Sequence, residues 1–213
     1  MSREKKVKKQ KAKGTQRAIA AILIILAIGS LIYSAAGMEM LFTKEEFNPS
    51  QILLGIAYLL EGIFFFVLGI ICRNKALHPQ ARQAVSGIVF LAIACQALVG
   101  FIGTVSHFWD YDLSDPALYM YLIPRVASSA ICIALAVFAF IRKPTPFKLL
   151  FSIIYALSII VFYVQDILSS PDVSIVFQLL TIVFEIAKPL IVMIGVLGPV
   201  ERQQKLPPVP SEN

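Results

Sequence analysis

The sequence predicts an all-α fold, a polytopic integral membrane protein made of a bundle of six transmembrane helices. Two observations lead to this fold class. Hydrophobic residues make up 58% of the chain and charged residues only 15%, whereas soluble domains are about half apolar and about one-quarter charged. Apolar stretches also recur along the chain, and a stretch of about 20 residues crosses a hydrocarbon core about 30 Å thick as a helix.

The predicted spans leave little chain outside the membrane. They lie near residues 18–36, 51–72, 84–107, 118–141, 147–168 and 174–198. The transmembrane domain, 18–200, follows a polybasic tail, 1–17, and precedes a proline-rich tail, 201–213. Because no extramembrane part could form a soluble domain of even about 50 residues, we expect function to reside in the bundle or at its rims.

The charges between the spans alternate in sign along the chain. The basic segments contain Lys5, Lys6, Lys8 and Lys9 before the first span, Arg73, Lys75 and Arg82 after the second, and Arg142, Lys143 and Lys148 after the fourth. The acidic segments contain Glu39, Glu45 and Glu46, then Asp110, Asp112 and Asp115, then Asp172. Since cytoplasmic segments are enriched in Lys and Arg, we expect both the N-terminus and the C-terminus to be cytoplasmic.

The first span has a second interpretation, as a cleaved signal peptide. Its basic start, its apolar stretch and Ser34-Ala35-Ala36 before Gly37 fit such a segment. Cleavage would leave five helices and an external N-terminus. The stretch is longer than the apolar core of a signal peptide, about 7–15 residues, and further spans follow it. These two features favour a retained first span.

The formal net charge of +6 arises from the sidedness of the loops. No basic patch is interleaved with stacking aromatic residues, so we expect no nucleic acid partner. The lipid bilayer is the expected partner of the spans. The basic N-terminal tail is an expected binder of anionic lipid, because each Lys near such a surface adds about 1 kcal/mol.

Four charged residues lie away from the ends of the predicted spans, and they are the candidate substrate-binding site: Glu61, Arg125, Glu185 and Lys188. An ionisable group that faces lipid near the bilayer centre is unfavourable by at least about 2.5–3.5 kcal/mol, so such groups face protein or water and pair with each other. Their charges sum to zero. Counted at about 1.5 Å per residue from the outer ends of their spans, Glu61, Arg125 and Glu185 lie roughly 15, 10 and 16 Å deep. Lys188, roughly 21 Å deep, could join them or extend toward the cytoplasmic face.

The sixth span contains Glu185, Lys188 and Pro189 within five residues. Residues three apart share a helix face, so Glu185 and Lys188 are predicted to pair. Pro189 cannot donate to the carbonyl of Glu185 and is predicted to bend the helix there. An acid, a base and a released backbone acceptor are typical of transporter sites at membrane depth. A charge pair that only sets helix register remains the alternative.

The third and fourth spans each have a polar stripe. Arg125, Ser128, Ser129 and Cys132 follow helical spacing and are predicted to face the bundle interior. Arg125 suits a carboxylate, whether Glu61, Glu185 or an anionic solute. In the third span, Ala92, Gln96, Gly100 and Thr104 recur every four residues, which indicates close helix packing more than ligand contact.

No enzyme motif is present in the sequence. It lacks H-E-x-x-H, G-x-S-x-G and a phosphate-binding glycine loop, and no serine stands out beside His78 or His107. Cys72, Cys95 and Cys132 show no metal-ligand spacing. We therefore expect a noncatalytic protein without cofactor or metal.

These observations predict a small multi-pass protein that binds or transports a small solute or ion through its buried polar site, in a plasma membrane or a bacterial inner membrane. The alternative is a noncatalytic membrane subunit or regulator. Its helices would pack against a partner membrane protein, and the same buried charges would be structural.

Overall fold

The computed structural model describes residues 3–39, 49–74, 79–106, 116–141, 148–169 and 174–199. Within these ranges the chain forms helices and no strand, which confirms the all-α prediction. The helices are α1 (Arg3–Met38), α2 (Pro49–Arg73), α3 (Pro79–Ser106), α4 (Pro116–Ile141), α5 (Lys148–Ser169) and α6 (Ile175–Leu190). A π-helical segment, Ile191–Leu197, continues α6.

The described helices fit a multi-pass membrane protein in contact with the bilayer. Five contain stretches long and apolar enough to span, with mean hydropathy between 2.0 and 2.5: Gly14–Met38, Pro49–Arg73, Pro79–Gly103, Leu118–Ile141 and Ile175–Leu197. The apolar stretch of α5, Leu150–Val164, is shorter, although its 22 residues would extend ~33 Å as a helix. The count of six spans and the cytoplasmic side of both termini therefore stay predictions.

Helix α1 begins much earlier than the predicted first span. It starts at Arg3 and contains 36 residues, so at about 1.5 Å per residue it is ~54 Å long. The hydrocarbon core is only about 30 Å thick. The basic segment before residue 18 therefore continues the first span as helix and extends beyond the bilayer core.

Consecutive helices pack side by side, and the π-helical segment also contacts α1 and α3, which closes the bundle. Short connections make consecutive helices antiparallel. We call the end of the bundle where α2 and α4 end the basic end. The opposite end, where α2, α4 and α6 begin, is the acidic end. Both names follow the charges of the connecting sequences.

Glycines bring α1 and α2 into backbone contact. Added Cβ atoms on Gly55, Gly62 and Gly69 would lie 3.2, 3.1 and 3.4 Å from the carbonyl oxygens of Ser34, Ala27 and Ala20 respectively. The glycines and their partners both recur every seven residues and run in opposite directions. Small residues at such positions let membrane helices approach closely, so α1 and α2 form one tightly packed pair.

An apolar core fills the half of the bundle near the basic end. Leu23, Phe65, Leu68, Phe90 and Val192 are completely buried there. Large apolar side chains such as Ile25, Phe66 and Val183 are exposed on the outside, where the bilayer covers them. Buried polar side chains lie toward both ends, with Gln83 and Ser86 nearer the basic end and Ser34 and Gln178 nearer the acidic end.

Candidate functional site

Three of the four predicted site residues meet in one cluster, which we call the triad: Glu61, Glu185 and Lys188. Lys188 Nζ lies 2.8 Å from Glu61 Oε1 and 2.7 Å from Glu185 Oε1. The predicted pairing of Glu185 with Lys188 is confirmed. Lys188 does not extend toward the basic end, because the carboxylate of Glu61 on α2 holds its ammonium at mid-bundle.

The triad is almost completely buried. Glu61 and Lys188 are 0% exposed and Glu185 is 3% exposed. Buried ions are stable only when close partners and hydrogen bonds replace the lost water. With both carboxylates ionised and Lys188 protonated, the triad has a net charge of −1.

Further groups surround the ammonium and its partners. Ser30 Oγ on α1 donates a 2.6 Å hydrogen bond to Glu61 Oε1. Lys188 Nζ lies 4.9 Å from the ring centre of Tyr58 and 4.7 Å from that of Phe184, within the range of cation–π attraction. Side-chain contacts at the same level of the bundle therefore connect three helices, α1, α2 and α6.

A chain of polar groups leads from the triad toward α3. Tyr58 donates to Glu185 Oε1 over 3.4 Å, and Gln96 Nε2 donates to the Tyr58 hydroxyl over 2.8 Å. The Tyr33 ring stacks on Tyr58 at 5.3 Å, and its hydroxyl hydrogen-bonds Thr181 Oγ1 at 2.7 Å. These residues were not predicted as site residues. The available signal was Tyr58, which lies three residues before Glu61 on the same helix face.

Pro189 lies inside α6, and the bend predicted there stays a prediction. The carbonyl oxygen of Glu185, which Pro189 leaves without its helical donor, accepts a 3.4 Å hydrogen bond from the Tyr155 hydroxyl on α5. Helix α6 then continues as a π-helix from Ile191. Helices of this type are rare and often lie at functional sites. A neighbouring helix therefore satisfies the released acceptor.

A cavity of about 250 Å³ adjoins the triad. Helices α2 to α6 all contribute to its wall, which consists of Leu54, Tyr58, Ile93, Gln96, Ala97, Pro124, Arg125, Ser128, Tyr155, Ile159, Phe162, Tyr163 and Glu185. Glu185 is on this wall, whereas Glu61 and Lys188 are not among the lining residues. Gln96, which the sequence assigned to helix packing, lines the cavity instead.

Arg125, the fourth predicted site residue, lies on the cavity wall and not in the triad. Its guanidinium carbon is 4.2 Å from the ring centre of Phe162. A Cβ atom on Gly100 would overlap the guanidinium group, so the glycine of α3 makes room for Arg125. The structure therefore places Arg125 and Glu185, which have opposite charges, on one cavity.

The polar stripe of α4 faces the interior, as predicted. Ser128, Ser129 and Cys132 are buried. Ser129 Oγ donates to the carbonyl of Ala94 over 3.2 Å and lies off the cavity wall. Ser128 is on the wall, and its Oγ is buried with no hydrogen-bond partner among the described residues.

Other residues considered in the sequence give no further cluster. His78, His107 and the proline-rich tail lie outside the described residues. Within the described part of the chain, no group of His, Cys, Asp and Glu side chains is arranged to hold a metal ion. Cys72, Cys95 and Cys132 are not in disulfides.

Comparisons with protein-family models, with curated proteins and with solved structures give no match to this chain. The function must therefore be inferred from the triad and the cavity beside it.

Proposed function

We propose that the protein binds a small solute or ion in the cavity beside the triad and transports it through the membrane, without catalysing a reaction. The observation that carries the proposal is the position of Glu185. This residue belongs both to the triad and to the cavity wall. The buried charges are thereby connected to a space that a solute can occupy.

The energetics of the triad support a functional role. Apolar residues of similar volume often replace a buried ion pair with no loss of stability or even a gain. Ionisable groups inside membrane helices are unfavourable, and they commonly mark substrate and ion pathways. A triad that only joined helices would need no cavity beside one of its carboxylates.

The size and lining of the cavity indicate the kind of ligand. Pockets for drug-sized ligands measure about 300–1,000 Å³ and combine apolar and aromatic walls with a few polar groups. The cavity, at about 250 Å³, is slightly smaller and has the same mixture. A compact solute with polar or charged groups fits it better than a long or bulky one.

A cavity-filling variant tests the proposal. Thermal unfolding of the purified protein in detergent would be measured with a panel of amino acids, amines, organic acids and monovalent ions. We expect at least one solute to raise the unfolding temperature of the wild type. Ser128→Phe should abolish the increase, because its ring would occupy the cavity. Ser129→Ala, a buried serine on the same helix but off the wall, is the matched control and should keep it.

Two results would overturn this function. One is a panel in which no solute stabilises the wild type. The other is a stabilising solute whose effect is the same in Ser128→Phe, since that solute would bind elsewhere.

A noncatalytic subunit or regulator is the second candidate. It is favoured by the complete burial of Glu61 and Lys188, which hold α2 and α6 together without contacting the cavity. This candidate requires a stable membrane protein partner. Purification from the native membrane as a monomer without such a partner would contradict it.

The proposal includes the orientation and location inferred from the charges. The basic end faces the cytoplasm of a plasma membrane or bacterial inner membrane, and the helical N-terminal basic segment contacts anionic lipid. Excess Lys and Arg on the cytoplasmic side supports this orientation. In a variant whose three native cysteines are replaced by serine, a cysteine introduced at Ser2 should react with a membrane-impermeant maleimide in inside-out vesicles only. Reaction in right-side-out vesicles would reverse the orientation.

A further inference from the structure

Two opposite charges line the same small cavity, and their surroundings differ. Glu185 extends from α6 and Arg125 from α4. The wall also contains apolar and aromatic side chains, including Phe162 next to the guanidinium group. A ligand that fills this cavity therefore meets an anionic group and a cationic group at once.

The carboxylate of Glu185 is oriented by its neighbours through one oxygen. Among the described residues, Lys188 and Tyr58 both donate to Oε1. Oε2 of the same carboxylate is not used by these donors. A carboxylate held in this way on a cavity wall accepts hydrogen bonds from an ammonium group, and charge-assisted bonds of this kind are the strong ones.

The region around Arg125 favours an anionic group of the ligand, whereas Glu185 favours a cationic one. A guanidinium group presents several donors in a planar arrangement that matches a carboxylate. Ser128 lies one helical turn further along α4, also on the wall, and its buried Oγ has no hydrogen-bond partner among the described residues. Arg125 and Ser128 together can donate to a small anionic group.

The charge balance restricts the ligand further. With both carboxylates ionised, the triad has a net charge of −1, and Arg125 then brings the sum of the four charges to zero. A ligand with a single charge would add a net charge to a buried region, where an uncompensated charge is strongly unfavourable. A ligand with one positive and one negative group adds no net charge. Its two groups can pair with Glu185 and with Arg125.

We propose that the ligand is a small zwitterion, with its ammonium group on Glu185 and its carboxylate on Arg125 and Ser128. This inference rests on the proposed solute-binding function and names the substrate class. A cavity of about 250 Å³ has room for roughly eight non-hydrogen atoms if each takes about the ~30 Å³ of a water molecule. Short amino acids fall within this size.

A series of ω-amino acids tests the inference, because their charges are separated by increasing distances. The probes are glycine, β-alanine, 4-aminobutyrate and 5-aminopentanoate, with butylamine and butyrate as singly charged controls. Affinity for the purified wild-type protein would be measured from the increase in unfolding temperature with probe concentration. We expect one length to bind best, and both controls to bind at least about tenfold more weakly, because each lacks one set of charge-assisted hydrogen bonds.

Two variants should change which probe binds most tightly. A misfolded protein would lose binding of all probes and would not show such a change. Arg125→Gln leaves the triad intact and should weaken binding of the best zwitterion at least about tenfold while making butylamine the preferred probe. Glu185→Gln, where it folds, should shift the preference to butyrate. Ser129→Ala should retain the wild-type order of probes.

The outcomes separate this inference from the function on which it rests. If butylamine, butyrate or an uncharged solute binds the wild type as tightly as the best zwitterion and Ser128→Phe blocks it, solute binding stands and the zwitterion is wrong. An unchanged probe preference in Arg125→Gln also overturns the inference. If no probe and no solute of the wider panel binds, both proposals fail.

Discussion

The two halves of the bundle are held together by different interactions. Near the basic end, side chains such as Phe65, Leu68 and Phe90 are completely buried against each other. Nearer the acidic end, the interior contains the triad and a cavity. Lipid is as apolar as leucine, so the first half depends on close packing and not on a hydrophobic driving force between helices. Buried polar side chains such as Ser86 and Ser152 also lie near the basic end, but the buried charged side chains of the described residues are all in the triad. The buried charges and the cavity are therefore a local property of the site.

The largest expected effect is in the polar half. Lys188→Met leaves the carboxylates of Glu61 and Glu185 buried without their cation. We expect the free energy of unfolding to fall by about 3–5 kcal/mol, the usual effect of breaking a buried ion pair. Reversible unfolding of the detergent-solubilised protein in SDS would measure it.

The matched control removes all three charges at once, in Glu61→Gln/Glu185→Gln/Lys188→Met. This variant should recover most of the lost stability, because no uncompensated ion remains, yet it should not be stabilised by the solutes that stabilise the wild type. If it recovers both stability and solute binding, the triad is structural and the two halves differ only in polarity.

An intermediate effect is expected in the apolar half. Leu68 is completely buried in the core, and Leu68→Ala would leave a cavity there. In soluble proteins such changes lower the free energy of unfolding by about 2–5 kcal/mol. In a bilayer the transfer contribution is largely absent, so we expect about 2 kcal/mol from lost packing. The same SDS unfolding experiment measures it.

Leu68→Ala should leave the solute-induced rise in unfolding temperature unchanged, because Leu68 is not on the cavity wall. A loss of solute binding in this variant would show that the two halves are coupled.

The smallest effect is expected at Tyr155, which belongs both to the apolar core and to the cavity wall. Tyr155→Phe removes the hydrogen bond to the carbonyl of Glu185 and should lower the free energy of unfolding by about 1 kcal/mol. In a Pro189→Ala background the restored backbone N–H can donate to that carbonyl. The effect of Tyr155→Phe should then be smaller. Equal effects in the two backgrounds would contradict the compensation between Tyr155 and Pro189.

Part of the site followed from sequence spacing alone. Glu185 and Lys188 are three residues apart in one helix, and this fixes their common face whatever the tertiary structure. Pairing of Lys188 with Glu61 was one of the possibilities that the sequence left open, because isolated ions are unfavourable in a membrane, although helical rise placed Lys188 roughly 6 Å deeper than Glu61. Each of these inferences used position along a helix, which the sequence contains directly.

The remaining contacts depend on how the helices are rotated about their axes. Hydropathy locates a span and does not show which face meets which neighbour. Gln96 could therefore be assigned to packing although it lines the cavity. Tyr155 could not be linked to Glu185, because they lie on different helices. The sequence contains the seven-residue spacing of Gly55, Gly62 and Gly69, but it does not show that α1 is the helix packed against these glycines.

The glycine contacts between α1 and α2 have a mechanical consequence. The two helices approach through backbone atoms at three levels, with side chains such as Leu31 and Ile24 packed against the same glycines. We therefore expect them to move as one rigid body. Lys188 on α6 is bonded to Glu61 of that rigid body. A movement of α6 away from α1 and α2 would have to break this ion pair, so we expect the triad to oppose that movement.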